Sequence, residues 1–198
     1  YSIIIPHKNS TVLLERCLRS IPCRKDVQVI VVDDNSENQE ELNAVVGGFS
    51  QVELILTQGG GAGHARNEGL KYIRGKWVLF ADADDFYNKN AFSILDNYIN
   101  SDNDVIYFFA NSLDVNTLLP TPREKDLQNI YEKYDSDNIR STDYIRFKNW
   151  APWNKMIRSD FWFQYRIFFD EIPFGNDLNF SMKISFLSVK YEIITNRL

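Results

Sequence analysis

Short apolar runs alternate with helically spaced segments through the first 110 residues. Ser2-Ile3-Ile4-Ile5, ended by Pro6, predicts a buried strand. Thr11 to Ile21 places Leu13, Leu14, Cys17, Leu18 and Ile21 on one side of a helix. Val27 to Val32 predicts a second strand, closed by Asp33-Asp34-Asn35. Ser36 with Gln39 has the spacing of a capping box for a helix over Glu37 to Val46. Val52 to Thr57 predicts a third strand. The glycine-rich run Gly59 to Gly63 follows, then a helix to Arg74 stopped by Gly75. Lys76 to Ala81 predicts a fourth strand, Asn88 to Asn100 a helix and Val105 to Phe109 a fifth strand. Unbroken apolar strands separated by helices predict a mostly parallel α/β sheet covered on both faces.

The pattern changes after residue 110. Residues 111–150 are polar and charged, with no period beyond a short helix near Asp143 to Phe147. Such a stretch is long for a structureless loop, which points to a functional segment or to elements hidden from periodicity. Trp153 to Ile157 reads as a strand, Asp177 to Val189 as a helix and Tyr191 to Thr195 as a last strand.

Composition narrows the class. With 198 residues, 44% hydrophobic and 14% aromatic, the chain is long enough for a full core and is neither disordered nor fibrous. A net charge of −5 argues against a non-specific nucleic-acid binder. No apolar run approaches the roughly 20 residues of a membrane-spanning helix. Cys17 and Cys23 form no metal-binding spacing and read as reduced thiols of a cytosolic protein. The chain opens directly on a strand without Met, so a piece of a longer protein is expected.

Two acidic clusters stand at strand ends, Asp33-Asp34 and Asp82-Ala83-Asp84-Asp85. In open α/β sheets ligands bind beyond the carboxyl ends of strands. Carboxylates gathered there repel one another unless a cation sits between them, and a hard divalent ion takes oxygen ligands. Asp33-Asp34 alone reads equally well as a solvated turn; three acids in four positions after Trp77-Val78-Leu79-Phe80-Ala81 read less well as one. The glycine-rich loop fits neither the dinucleotide fingerprint nor the P-loop. It is either a turn into a helix or a close backbone approach to a ligand, with Arg66 one turn in. Asp177 sits at a predicted helix start, where the helix dipole favours its anion; taken alone, it reads as an acid serving that helix.

In this order, Ser2-Ile3-Ile4-Ile5-Pro6-His7-Lys8-Asn9, Val31-Val32-Asp33-Asp34-Asn35-Ser36, Gly63-His64-Ala65-Arg66-Asn67-Glu68-Gly69, Phe80-Ala81-Asp82-Ala83-Asp84-Asp85, Trp153-Asn154-Lys155 and Gly175-Asn176-Asp177 resemble the family 2 inverting glycosyltransferases of the GT-A fold. The resemblance spans nearly the whole chain and is closest to bacterial enzymes of capsular or lipopolysaccharide synthesis. It implies one GT-A domain, Rossmann-like, with residues 1–110 binding a nucleotide sugar and residues 111–198 carrying the acceptor side and the base. It implies nucleotide contacts by Pro6, His7, Asn9, Asp34, Arg66, Asn67 and Asp82. It also implies a Mn²⁺ or Mg²⁺ ion on Asp84, with Asp82 on the ribose or a metal-bound water, and Asp177 as catalytic base. Asn176 replaces a Glu usual in the family. It stands with Trp153 and Lys155 on the acceptor side.

The implied activity is hexosyl or N-acetylhexosaminyl transfer from a UDP-sugar to a hydroxyl of a glycan or lipid-linked acceptor. The implied setting is cytoplasmic, at the inner face of the membrane, with any peripheral membrane association made by parts outside these residues. Trp150, Trp153, Tyr131 and Tyr134 are candidates for stacking on sugars or for plain core packing. The competing readings are a phospho-receiver-like domain, which expects its acids after the first and third strands, a dehalogenase-type phosphatase, which expects DxD on the first strand, and a sugar-nucleotide binder without activity.

Overall fold

A computed structural model describes residues 1–148 and 150–198. Seven strands form one mixed sheet: β1 (Ser2–His7), β2 (Gln28–Asp33), β3 (Val52–Leu56), β4 (Trp77–Phe80), β5 (Val105–Phe109), β6 (Lys155–Arg158) and β7 (Tyr191–Arg197), in the order β3-β2-β1-β4-β6-β5-β7. β1 to β4 run parallel, β6 is antiparallel to both β4 and β5, and β7 is parallel to β5. Ile4 pairs with Ile30 on one side and Phe80 on the other, so the strand end of β1 sits centrally. Two strands after residue 110 complete the sheet begun by the first five, and both segments of the chain share one core.

The unbroken apolar runs have a simple cause. Alternate side chains of a strand point to opposite faces, and here both faces are covered. Ile3, Ile5, Val29 and Val31 pack with helices α1 (Thr11–Ser20), α2 (Gln39–Val46) and α4 (Ala91–Leu95). Ile4, Ile30, Val32 and Phe80 pack on the other face with α3 (Gly61–Leu70), α7 (Ser159–Tyr165) and α8 (Leu178–Leu187).

Several expectations need correction. The described residues of 111–150 include two helices, α5 (Pro122–Glu132), hidden from periodicity, and α6 (Ile139–Lys148), which extends the short helix expected near Asp143 to Phe147. They bury a separate small cluster in which Tyr131 stacks on Phe109 at 3.8 Å and its hydroxyl accepts from the Ala110 amide at 2.9 Å. Tyr131 is therefore core, not a sugar platform. Ser36 and Gln39 form no capping box: Asn38 caps α2 through Glu41, while Ser36 and Gln39 both donate to Asp33. α3 ends at Leu70, four residues before Arg74. Gly75 instead lies against the start of β1, where an added Cβ would fall 2.4 Å from the Tyr1 carbonyl carbon. The helix predicted over Asn88 to Asn100 shrinks to α4 and one 3-10 turn. Cys17 is buried and Cys23 exposed, both as free thiols.

Candidate functional site

The chain passes from β1 outward through β2 to β3, then returns to place β4 on the other side of β1. That reversal opens a crevice beyond the carboxyl ends of β1 and β4, the place where such sheets bind ligands. A cleft of about 590 Å³ lies there, lined by Pro6, His7, Lys8, Asp34, Gly61, Arg66, Asp82 and Asp84 among others.

Its floor is set by a buried polar hub. His7 Nδ1 lies 2.8 Å from Asp33 Oδ1, and the Ser10 amide donates to His7 Nε2 at 3.2 Å. With Nε2 accepting, the neutral ring carries its proton on Nδ1 and donates it to Asp33. Burial opposes the Asp33 charge, but hydrogen bonds from Ser36, Gln39 and His7 outweigh it and hold the carboxyl below the ordinary range. Asn9 takes a left-handed φ of 50°, accepts from the Glu37 amide at 2.9 Å and donates its own amide to Ser36 at 2.8 Å. These bonds stitch the loop after β1 to the loop after β2. His7 thus lines the cleft with both ring nitrogens engaged, and Asn9 supports the wall from behind.

Asp34 is buried at the cleft wall. Its carboxylate accepts from the Gly61 amide at 2.9 Å and from Lys8 at 3.3 Å. Gly59, Gly60 and Gly61 have φ of 100°, 136° and 84°, a backbone that side chains rarely tolerate. Their order delivers the first amide of α3 to Asp34, so the glycine run is a shaped turn at the cleft. Lys8 and Gly61 were absent from the residue set expected from motifs.

Arg66 is the centre of the opposite wall. Its guanidinium donates to Asp82 at 2.5 Å and to Asn176 at 2.9 Å, and it lies over the Phe169 ring at 5.2 Å. Asn67, one residue on, donates to Phe169 and Glu171 and accepts from the Phe169 amide. Its amide ties α3 to the 167–171 segment and faces away from the cleft lining. Asp82 is half-buried and Asp84 exposed. Asp85 is pushed up to about 7, first by burial and then by the charges of Asp82 and Asp84. Arg16 donates to the Asp84 carbonyl at 2.6 Å, bracing the acidic loop from α1.

Asp177 is the N-cap residue of α8, yet its side chain makes no capping hydrogen bond. It is half-buried, beside Asn176, and lies outside the cleft lining proper. Lys155 is fully buried and donates to the Ala151 carbonyl at 2.6 Å and to Asn154 at 2.8 Å. Burial pushes it down to about 7, with the Asp177 charge pulling the other way. Trp153 lines a small cavity of about 70 Å³ shared with Asp85 and Phe86, and carries Arg123 over its ring at 5.5 Å. Trp150 is exposed; Tyr134 meets Phe109 edge-on at 6.1 Å.

Among the described residues no group of three or more His, Cys, Asp or Glu is arranged as a ready metal cage. A divalent ion that keeps its waters and ligand phosphates needs only one or two carboxylates. Asp82 and Asp84 both line the cleft with hard oxygen donors, Asp82 paired with Arg66 and Asp84 exposed, and fit that requirement. Among the described residues no helix is long and apolar enough to cross a membrane.

The sheet order, with an acid-lined crevice at its reversal, defines an α/β fold of GT-A type. The chain belongs to glycosyl transferase family 2, whose model matches residues 2–172. An uncharacterized glycosyltransferase, EpsJ, of Bacillus subtilis (strain 168) is 25% identical over 91% of this chain and 54% of its own length. A cholesterol galactosyltransferase of Borreliella burgdorferi is 26% identical over 98% of this chain and 58% of its own. The chain thus spans little more than half the length of these curated relatives. Among solved structures, Staphylococcus aureus TarS 1-349 in complex with UDP superposes with a TM-score of 0.76 at 22% identity, over 99% of this chain and 58% of that one. The mannosyltransferase PcManGT from Pyrobaculum calidifontis, in complex with GDP-Man and Mn²⁺, gives 0.68 at 16%, covering 98% and 54%. Family membership and the strand order set aside the receiver and phosphatase readings.

Proposed function

We propose that the chain carries the donor site and base of an inverting glycosyltransferase. The substrate would be a UDP-sugar, carrying a hexosyl or N-acetylhexosaminyl group, and the acceptor a hydroxyl of a glycan or lipid-linked saccharide. One observation carries this reading: acids from separate motifs, Asp34 and the Asp82–Asp84 pair, line one cleft, and Arg66 ties that cleft to Asn176 beside Asp177. Support comes from TarS, solved with UDP and with UDP-GlcNAc, and from TarS being a poly(ribitol-phosphate) beta-N-acetylglucosaminyltransferase.

The roles follow from charge and position. Asp34 retains lone pairs beyond its bonds to Gly61 and Lys8 and accepts a hydrogen bond from the nucleobase. Lys8, half-way between this acid and solvent, offers a charge to the nucleotide. Asp82 and Asp84 would hold Mn²⁺ or Mg²⁺, which supplies neutralisation of charge on a departing diphosphate. Asp177, with no helix-capping duty for its carboxylate, accepts the proton of the attacking hydroxyl. Attack from the face opposite the departing oxygen inverts the anomeric carbon and needs no covalent enzyme intermediate. The site would work on the cytoplasmic side, with membrane-bound acceptors brought to it.

The test is UDP release from UDP-glucose and UDP-N-acetylglucosamine with Mn²⁺. Turnover that disappears in Asp177→Asn supports the reading; equal turnover in that variant refutes the base assignment.

A further inference from the structure

Arg66 does more in this structure than line a cleft. Its side chain is only 6% exposed, although it is a full cation. One η nitrogen donates to Asp82 at 2.5 Å, the other to Asn176 at 2.9 Å. Its Nε, also buried, has no partner among the described residues. The fork is therefore committed to two points: one on the acidic loop after β4, the other on the residue preceding Asp177.

Both points rest on one rigid block. The guanidinium lies over Phe169 at 5.2 Å, Phe169 stacks on Phe180 at 3.8 Å, and Phe80 meets both rings edge-on at 5.1 and 5.4 Å. Phe80 lies two residues before Asp82, and Phe180 three residues after Asp177. Asn67 pins the Phe169 backbone to α3 through bonds of 2.8 and 3.0 Å. At Gly63 an added Cβ would fall 2.2 Å from the Asp170 carbonyl and 3.1 Å from the Asn176 Cβ, so α3 is pressed onto this segment. A planar fork with fixed geometry between two such points sets their separation, as a flexible ammonium would not.

We infer that Arg66 is a positioning residue: through Asn176 it fixes the segment carrying Asp177 relative to Asp82, so that an accepting oxygen at position 176 serves transfer and not nucleotide binding. This rests on the proposed function. Asn176 accepts with a neutral amide oxygen, leaving Asp82 as the single carboxylate on the guanidinium among the described residues. Removing that oxygen releases the base segment from the guanidinium while the bond to Asp82 stays. A base displaced by about 1 Å costs on the order of a hundredfold in rate, and such a loss falls on kcat and not on KM.

The experiment measures UDP release from UDP-glucose and UDP-N-acetylglucosamine with Mn²⁺, and UDP affinity by calorimetry, for the wild-type chain, Asn176→Ala and Asn176→Asp. Each rate is taken on the plateau of that variant's pH profile. The expected result is a fall in kcat of about ten- to a hundredfold in Asn176→Ala, with donor KM and UDP affinity unchanged. Asn176→Asp keeps the accepting oxygen and should recover most of the rate. Equal kcat for wild type and Asn176→Ala, equal losses in Ala and Asp variants, or a rise in donor KM alone would each overturn the clasp. A wild-type chain that fails to bind UDP, or binds it and releases none from either sugar nucleotide, defeats the underlying reading, and the clasp falls with it.

Discussion

At the scale of single residues, the most informative group is Asp177, an N-cap residue whose carboxylate leaves its own helix uncapped. Under the proposed function its carboxylate has a task, as base, that the helix does not give it. Asp177→Asn keeps the shape and remains a good N-terminal residue, so α8 should persist. Transfer should fall by about 10²–10⁴-fold, measured as UDP release, with UDP affinity unchanged. Lys155 gives a stability prediction. It is buried and pushed down to about 7 from an ordinary 10.5. Between those values the unfolded chain binds more protons than the folded one, so stability rises with pH above about 7, by at most about 1.4 kcal/mol per pH unit. Below about 7 both states are protonated and this contribution is flat. Lys155→Met, compared with wild type by urea unfolding at pH 7 and 9, should flatten that rise. Motif order made Asp34, Arg66, Asp82 and Asp177 legible as candidates. It gave no warning that Asn67 and Asn9 spend their side chains on neighbouring loops, because hydrogen-bond partners 28 or 102 positions away leave no local spacing to read.

At the scale of elements, α3 positions the cleft wall that carries Arg66, and its contact with the 167–171 segment is the vulnerable point. Gly63→Ala places a methyl where the Asp170 carbonyl stands. Overpacking of this kind costs about 1–3 kcal/mol. The variant should unfold at lower urea and bind UDP less tightly, since Arg66 moves with the helix; a wild-type unfolding midpoint would show that the segment yields freely. The first five strands were legible because burial on both faces makes each an unbroken apolar run. The direction of β6 was not legible, since a short apolar strand reads alike either way round. α5 escaped because Leu127, Ile130 and Tyr131 form a narrow stripe facing only a small satellite cluster. Ser36 and Gln39 misled for a different reason: the buried Asp33 carboxylate outcompeted the helix end for both side chains.

At the scale of the whole molecule, the sheet brings the acids that follow β2 and β4, Asp34 with Asp82 and Asp84, to one crevice, although about 50 positions separate them along the chain, a juxtaposition that strand reversal produces in this class of fold. A ligand bound there should stabilise the fold by mass action, about 2.7 kcal/mol at a hundred times its dissociation constant. UDP with Mn²⁺ should therefore raise the unfolding temperature, and Asp34→Ala should weaken that protection with or without the metal. The most direct test is calorimetric titration of UDP into the wild-type chain and into Asp84→Asn, each with Mn²⁺ and with EDTA. The account predicts saturable wild-type binding that weakens at least tenfold in EDTA, and Asp84→Asn binding fixed at the EDTA level. Wild-type affinity indifferent to Mn²⁺, or Asp84→Asn retaining full Mn²⁺ dependence, would contradict it.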